Sequence, residues 1–202
     1  MKKDLSNYEF VALIIPSVIL LFSINYILTS QGNESLFDFS KISESIIFLC
    51  FSYALGHIIQ GIGNYFEKSV WYYYGGMPTK WLFKPNKFQK RLLDDNTCGK
   101  IKARINIDYD RIDEEADYGL LIYNKLFQKK LTERIDIFNG NYSLLRGLSV
   151  TFIILSMYLF VNCNYKLGLV CLVCFFISLK RMIRFGEYYA KEIYRTYMNQ
   201  DN

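Results

Sequence analysis

Residues 46–66 read IIFLCFSYALGHIIQGIGNYF. The first half is apolar; the second carries His57, Gln60, Gly61, Gly63 and Asn64. Ser52, Gly56, Gln60 and Gly63 recur every three or four residues, so a helix places them on one face. A run of about 20 apolar residues is long enough to cross a bilayer. Small and polar residues along one stripe of such a helix mark close contact between helices. This face (Ser52, Gly56, Gln60 and Gly63, with His57 and Asn64 adjoining) is the expected oligomer contact or pore lining.

Three more apolar runs flank it. Residues 10–28, FVALIIPSVILLFSINYIL, hold no charge. Lys2 and Lys3 precede them as in a signal peptide, but no Ala-x-Ala cleavage site follows. The run therefore reads as a retained span in which Ser17 and neighbouring helices satisfy the backbone groups freed by Pro16. Leu144–Val161 is apolar apart from Arg146, Ser149, Thr151 and Ser156. Leu167–Leu179 is uncharged but short, and crosses fully only if Tyr165 joins it and Lys166 and Lys180 snorkel. The tight Asn162–Lys166 loop makes the last two runs an antiparallel hairpin. At 51% hydrophobic and 21% charged, with 12 Gly and 3 Pro, the chain is neither disordered nor collagen-like.

The expected fold class is all-α, a four-span transmembrane bundle. Spans 1 and 2 fall in 1–66, a cytosolic helical segment in 67–143, the hairpin in 144–180, and a cytosolic amphipathic helix in 181–202. Charge sets the orientation. Of 24 Lys and Arg residues, all but Lys41 and Lys166 lie on one side if both termini and the central segment are cytoplasmic. That is the positive-inside pattern of an integral membrane protein. Lys180, Arg181 and Arg184 follow the last span and suit anionic lipid. Trp71, Tyr72, Tyr73, Tyr74 and Trp81 read as an interfacial aromatic belt. The Lys80–Arg91 cluster, KWLFKPNKFQKR, also has the composition of a nucleic-acid patch, with lipid headgroups the favoured partner.

In the central segment, Gly75-Gly76-Met77-Pro78 breaks the chain. A short amphipathic helix is predicted from near Asn86. A longer one is predicted over Ile112–Phe138, where Leu120, Tyr123, Leu126, Phe127, Leu131, Ile135 and Phe138 keep the helical period.

Chemistry is sparse. His57 is the only histidine, so one chain cannot build a multi-histidine metal site, and H-E-x-x-H is absent. An ionisable residue within a span is a functional candidate by default, weighed here against a simple interhelical hydrogen bond. Cys171 and Cys174 have the C-x-x-C spacing of quinone-linked, four-helix thiol oxidoreductases, but lack a polarising neighbour and the exterior cysteine pair those enzymes use. The cluster Asp108, Asp110, Asp113, Glu114, Glu115 and Asp117 fails the calcium-loop pattern because Ile112 and Asp113 occupy ligand and glycine positions. Phosphate-binding glycine loops and G-x-S-x-G are missing. No catalytic residue, metal or cofactor is expected, and the reading is of a protein that is not an enzyme. A membrane thiol oxidoreductase and a small transporter remain as alternatives.

Two stretches carry a resemblance: Ser52-Tyr53-Ala54-Leu55-Gly56-His57-Ile58-Ile59-Gln60 leading to Gly75-Gly76-Met77-Pro78-Thr79, and the tail Lys180-Arg181-Met182-Ile183-Arg184-Phe185. In layout the chain resembles the small multi-span accessory proteins of bacterial anti-phage systems, in particular those of type VI-B CRISPR loci. The resemblance implies a non-enzymatic antiviral-defence protein that partners a cytosolic effector, or that oligomerises and perturbs the membrane, as a pore, when triggered.

Overall fold

The computed structural model describes residues 7–82, 85–89, 91–109 and 118–200. The side chains of the acidic cluster between Asp108 and Asp117, and Lys84 and Lys90 of the basic cluster, lie outside the described residues. Helix is the only regular structure among those described. The six α-helices are α1 (Asn7–Ser30), α2 (Ile42–Tyr74), α3 (Asp95–Tyr109), α4 (Tyr118–Gln128), α5 (Glu133–Val161) and α6 (Tyr165–Asn199), with a 3-10 turn at Pro78–Leu82. Three of them, α1, α2 and α5, are long and apolar enough to cross a membrane. The fourth apolar run opens α6, where charges follow so soon after Leu179 that α6 is not in that group.

Two compact units divide the chain. One comprises Met1–Glu67 with Gly140–Met182, the other Lys68–Asn139 with Ile183–Asn202. They differ in what they bury. In the first, Ser17, Ser52, Ser149 and Thr151 are fully buried and Ser156 nearly so, while Phe22, Leu49, Phe51, Ile58, Leu169 and Phe176 are each more than half exposed. A water-soluble domain hides its large apolar side chains and leaves its hydroxyls outside. This unit does the reverse, although a small apolar cluster of Leu20, Ile59, Val150 and Leu155 still lies at its centre.

The second unit has an ordinary apolar core. Ile101, Ile105, Ile122, Leu126, Ile135, Ile193, Tyr194 and Tyr197 are fully buried. Polar groups there reach across it: the Tyr194 hydroxyl donates to the Thr79 carbonyl at 2.6 Å, and Arg104 Nη1 donates to the Met198 carbonyl at 3.0 Å. The Gln200 side-chain oxygen is buried without a partner among the described residues.

Several boundaries differ from the sequence reading. No helix starts near Asn86. Instead the Asn86 side chain accepts the Phe88 amide at 2.9 Å and Gln89 takes φ 60°, an Asx-type turn that closes off helical geometry. The helix begins at Asp95, capped by Asp94, whose carboxylate accepts the Thr97 amide at 2.9 Å. The long helix predicted to Phe138 is two helices. Lys130 adopts φ 59°, and the amides of Lys130 and Leu131 donate back to Phe127 and Leu126 at 3.0 Å. That is a left-handed C-terminal cap. α5 then starts at Glu133 and runs without interruption into the third apolar run. The hydrophobic period continues across the break, which is why periodicity alone did not reveal it. In the same way the C-terminal segment is not a separate helix but the continuation of α6.

Candidate functional site: a polar centre among three apolar helices

Within the first unit several polar groups of α1, α2 and α5 converge on one point, and Pro16 is its origin. A proline has no amide hydrogen, so Pro16 leaves the Ala12 carbonyl of α1 without its helical donor. Ser17 donates its hydroxyl to the Leu13 and Ile14 carbonyls at 3.1 and 2.8 Å. The Ala12 carbonyl is satisfied from another helix, by Gln60 Nε2 at 2.8 Å. The same amide nitrogen donates to the Ser143 carbonyl of α5 at 3.1 Å. Gln60 therefore joins three helices with one side chain.

Its oxygen is used as well. Gln60 Oε1 accepts Arg146 Nη2 at 2.8 Å and Arg146 Nε at 3.2 Å. The remaining arm of the guanidinium, Nη1, donates to the Glu67 carboxylate. Arg146 and Glu67 side chains are only 14% and 15% exposed, so the two charges neutralise each other in place. The Tyr142 ring lies 5.9 Å from the guanidinium carbon. Every donor and acceptor of Gln60 is taken. The centre carries no net charge, as a bilayer requires of buried ionic groups.

Glycines let the helices come this close. A Cβ at Gly56 would sit 2.4 Å from the Leu13 carbonyl oxygen, and one at Gly147 would meet Pro16 Cγ at 2.8 Å and Gln60 Nε2 at 2.9 Å. Gly63 lies under the aliphatic stem of Arg146, where an added Cβ would come 3.1 Å from the arginine Cγ. The Thr151 hydroxyl donates to the Pro16 carbonyl at 3.1 Å, closing the contact between α1 and α5.

The six span-two residues singled out from the sequence separate into two groups. Ser52, Gly56, Gln60 and Gly63 face inward; the last three are engaged by α1 or α5 of the same chain, and the Ser52 hydroxyl is buried without a partner. Within the chain, α1 and α5 cover this part of the stripe expected as an oligomer contact or pore lining. His57 and Asn64 are exposed, and the His57 ring meets Tyr53 edge-on at 4.8 Å.

The aromatic belt divides too. Tyr72 and Tyr73 are 87% and 60% exposed, but Trp71 and Trp81 are buried in the second unit, 6.0 Å apart, with Trp81 Nε1 donating to the Gly76 carbonyl at 3.1 Å. Indole area is worth more in a core than at a surface, and the turn at Gly75–Gly76 supplies the acceptor. Tyr74 is partly buried between them, 6.0 Å from Trp71. Lys180 and Arg184 are not buried, and Arg184 donates to the Tyr188 hydroxyl. Arg181 is exposed. Cys171 and Cys174 are free thiols, partly buried. Cys171 lines an apolar cavity of about 360 Å³ with Phe22, Tyr26, Leu155, Leu159 and Leu167.

Reading the sequence did not pair Arg146 with Glu67. The signal was present: an arginine inside an otherwise apolar run must find an acid at the same depth, and Glu67 closes the neighbouring run at its end nearer Arg146 in an antiparallel arrangement. No cluster of His, Cys, Asp or Glu able to hold a metal occurs among the described residues. What the geometry can do is lock three helices together and hold a compensated charge pair within them.

No protein-family model, curated protein or solved structure matches this chain.

Proposed function

We propose that the chain is an integral protein of a bacterial inner membrane, with four spans and both termini cytoplasmic, which acts by association rather than by catalysis. The supporting observation is the inverted burial of the first unit, hydroxyls inside and large apolar side chains outside. Lipid is the solvent that makes such a surface stable. The fourth crossing is supported by α6, on which Leu169, Val170, Val173, Phe176 and Ile177 are all more than half exposed at helical spacing. In water that stripe would be an aggregation surface. The charge asymmetry of the loops supports the orientation. The layout shared with type VI-B CRISPR accessory proteins supports a role in anti-phage defence, through a cytosolic effector or through membrane perturbation by an oligomer.

A native residue tests the topology. Cys163, exposed in the Asn162–Lys166 loop, lies outside in a four-span arrangement, whereas Cys98 lies inside and Cys50, Cys171 and Cys174 are within spans. A membrane-impermeant maleimide applied to intact cells should label the chain at Cys163 alone. Cys163 stays outside with or without the last span, so labelling that requires permeabilised membranes contradicts the orientation. In the cysteine-free chain Arg195→Cys, at an exposed position of α6, should be labelled only after permeabilisation, and its labelling in intact cells contradicts the fourth crossing. A chain released by alkaline carbonate contradicts the membrane reading itself.

A further inference from the structure

The exposed side of α2 is of two kinds. One flank presents Ile47, Phe51, Ile58 and Ile62, bulky, apolar and about half exposed. The other presents Cys50, Ala54, His57, Gly61 and Asn64, small or polar, at the three- and four-residue spacing that sets them in one row. We propose that this second flank is the contact with another copy of the same chain, across a twofold axis along the membrane normal. The inference rests on the membrane reading above.

Three observations support it. The side chains of His57 and Asn64 make no hydrogen bond to any described residue, and the His57 ring packs against Tyr53 at 87° between ring planes. Lipid tails offer neither donors nor acceptors, so both side chains need partners from another molecule. Gly61 also differs from the glycines that face inward. A Cβ at Gly56 or Gly147 would strike a neighbouring helix, whereas one at Gly61 would meet nothing within 4 Å. Nothing inside the chain needs a glycine there, and glycine weakens a helix interior relative to alanine. Its small size is of use to something outside the chain.

A second copy fits that requirement. Copies inserted in one membrane share an orientation, so a twofold axis along the normal brings each residue of the row to its own counterpart at equal depth. An asparagine amide carries both donors and an acceptor, so Asn64 is self-complementary, and the His57 ring nitrogens add further hydrogen-bonding groups to the same row. Ala54 and Gly61 let the backbones approach as small residues do at helix contacts in membranes.

The test uses full-length chain in native membranes, with its five cysteines replaced by alanine and single cysteines introduced. Under mild oxidation, Ala54→Cys and Gly61→Cys should cross-link to covalent dimers, while Ile58→Cys and Ile62→Cys should not. In the alanine background, the pair His57→Leu and Asn64→Leu should lower the dimer fraction, each weakening dimerisation roughly ten-fold. Five of the six positions are exposed, and at Gly61 an added Cβ meets nothing within 4 Å, so these variants keep the fold of the single chain. Equal cross-linking on both flanks, cross-linking at Ile58→Cys and Ile62→Cys instead, or none at all overturns the proposal. So does rapid reaction of Gly61→Cys with an impermeant maleimide, which would mean a water-filled path. In each of these cases retention of the chain in carbonate-washed membranes leaves the membrane reading standing, so the two failures are distinguishable.

Discussion

Replacing Gln60 with methionine keeps the volume and removes the amide. The Ser143 carbonyl keeps its donor within α5, but the Ala12 carbonyl has none, because the residue four positions on is Pro16. Arg146 also loses the oxygen that accepts two of its three donating nitrogens. Interhelical hydrogen bonds in membranes average about 0.6 kcal/mol and reach about 1.7, and a stranded carbonyl adds about 1–3 kcal/mol. Gln60→Met should therefore destabilise the chain by about 2–4 kcal/mol. Unfolding of the purified chain in mixed micelles, titrated with a denaturing detergent, measures it. The sharper test is a double-mutant cycle. Pro16→Ala returns an amide hydrogen to the Ala12 carbonyl, so Gln60→Met should cost about 1–2 kcal/mol less in that background. Strict additivity of the two substitutions would refute the claim that Gln60 stands in for the donor missing at Pro16.

Three further outcomes follow from the same geometry. Arg146→Met or Glu67→Gln alone should each cost about 3–5 kcal/mol by leaving a buried partner uncompensated, while Arg146→Met with Glu67→Met should cost less than their sum; the same detergent titration reads both. Gly56→Ala should destabilise because its Cβ would lie 2.4 Å from a backbone oxygen, whereas Ser52→Ala should leave the midpoint unchanged or raise it, since the Ser52 hydroxyl is buried without a partner. In the second unit the Asp94 carboxyl is held below its ordinary value of 3.8, first by the Thr97 amide and then by the Thr97 side chain. Its contribution is thus complete above that ordinary value and disappears as pH falls through the lower, folded one. Both tryptophans lie in this unit, so an acid titration followed by their emission should be shallower below about pH 4 in Asp94→Ala than in the parent.

How much of this was legible depended on range. Helices α1 and α2 follow from uncharged length, and the break at Gly75–Gly76 follows from backbone chemistry that acts locally. The end of α4 was hidden because Lys130 takes a left-handed turn that carries no glycine signal, and the apolar period runs on past it. The inward placement of Trp71 and Trp81 could not be read locally either, because it depends on the Gly76 carbonyl and on the core that closes around them. The stripe of Ser52, Gly56, Gln60 and Gly63 was visible, but a stripe does not say which helix it meets. That depended on where α1 lost a donor and where α5 carried an arginine. The consequence of Pro16 for Gln60 is a contact between residues far apart in sequence, and only the folded chain brings them together.

The account depends most on what surrounds the first unit. Spin labels placed one at a time at Phe51, Ile58, Val173 and Phe176 in the reconstituted chain measure this directly, through relaxation by oxygen, which concentrates in lipid, and by a nickel chelate, which stays in water. At all four sites oxygen should dominate, with labels at Ser149 and Thr151 reached poorly by either. Faster relaxation by the nickel chelate at Phe51, Ile58, Val173 and Phe176 would show that water covers that surface, and would contradict the account.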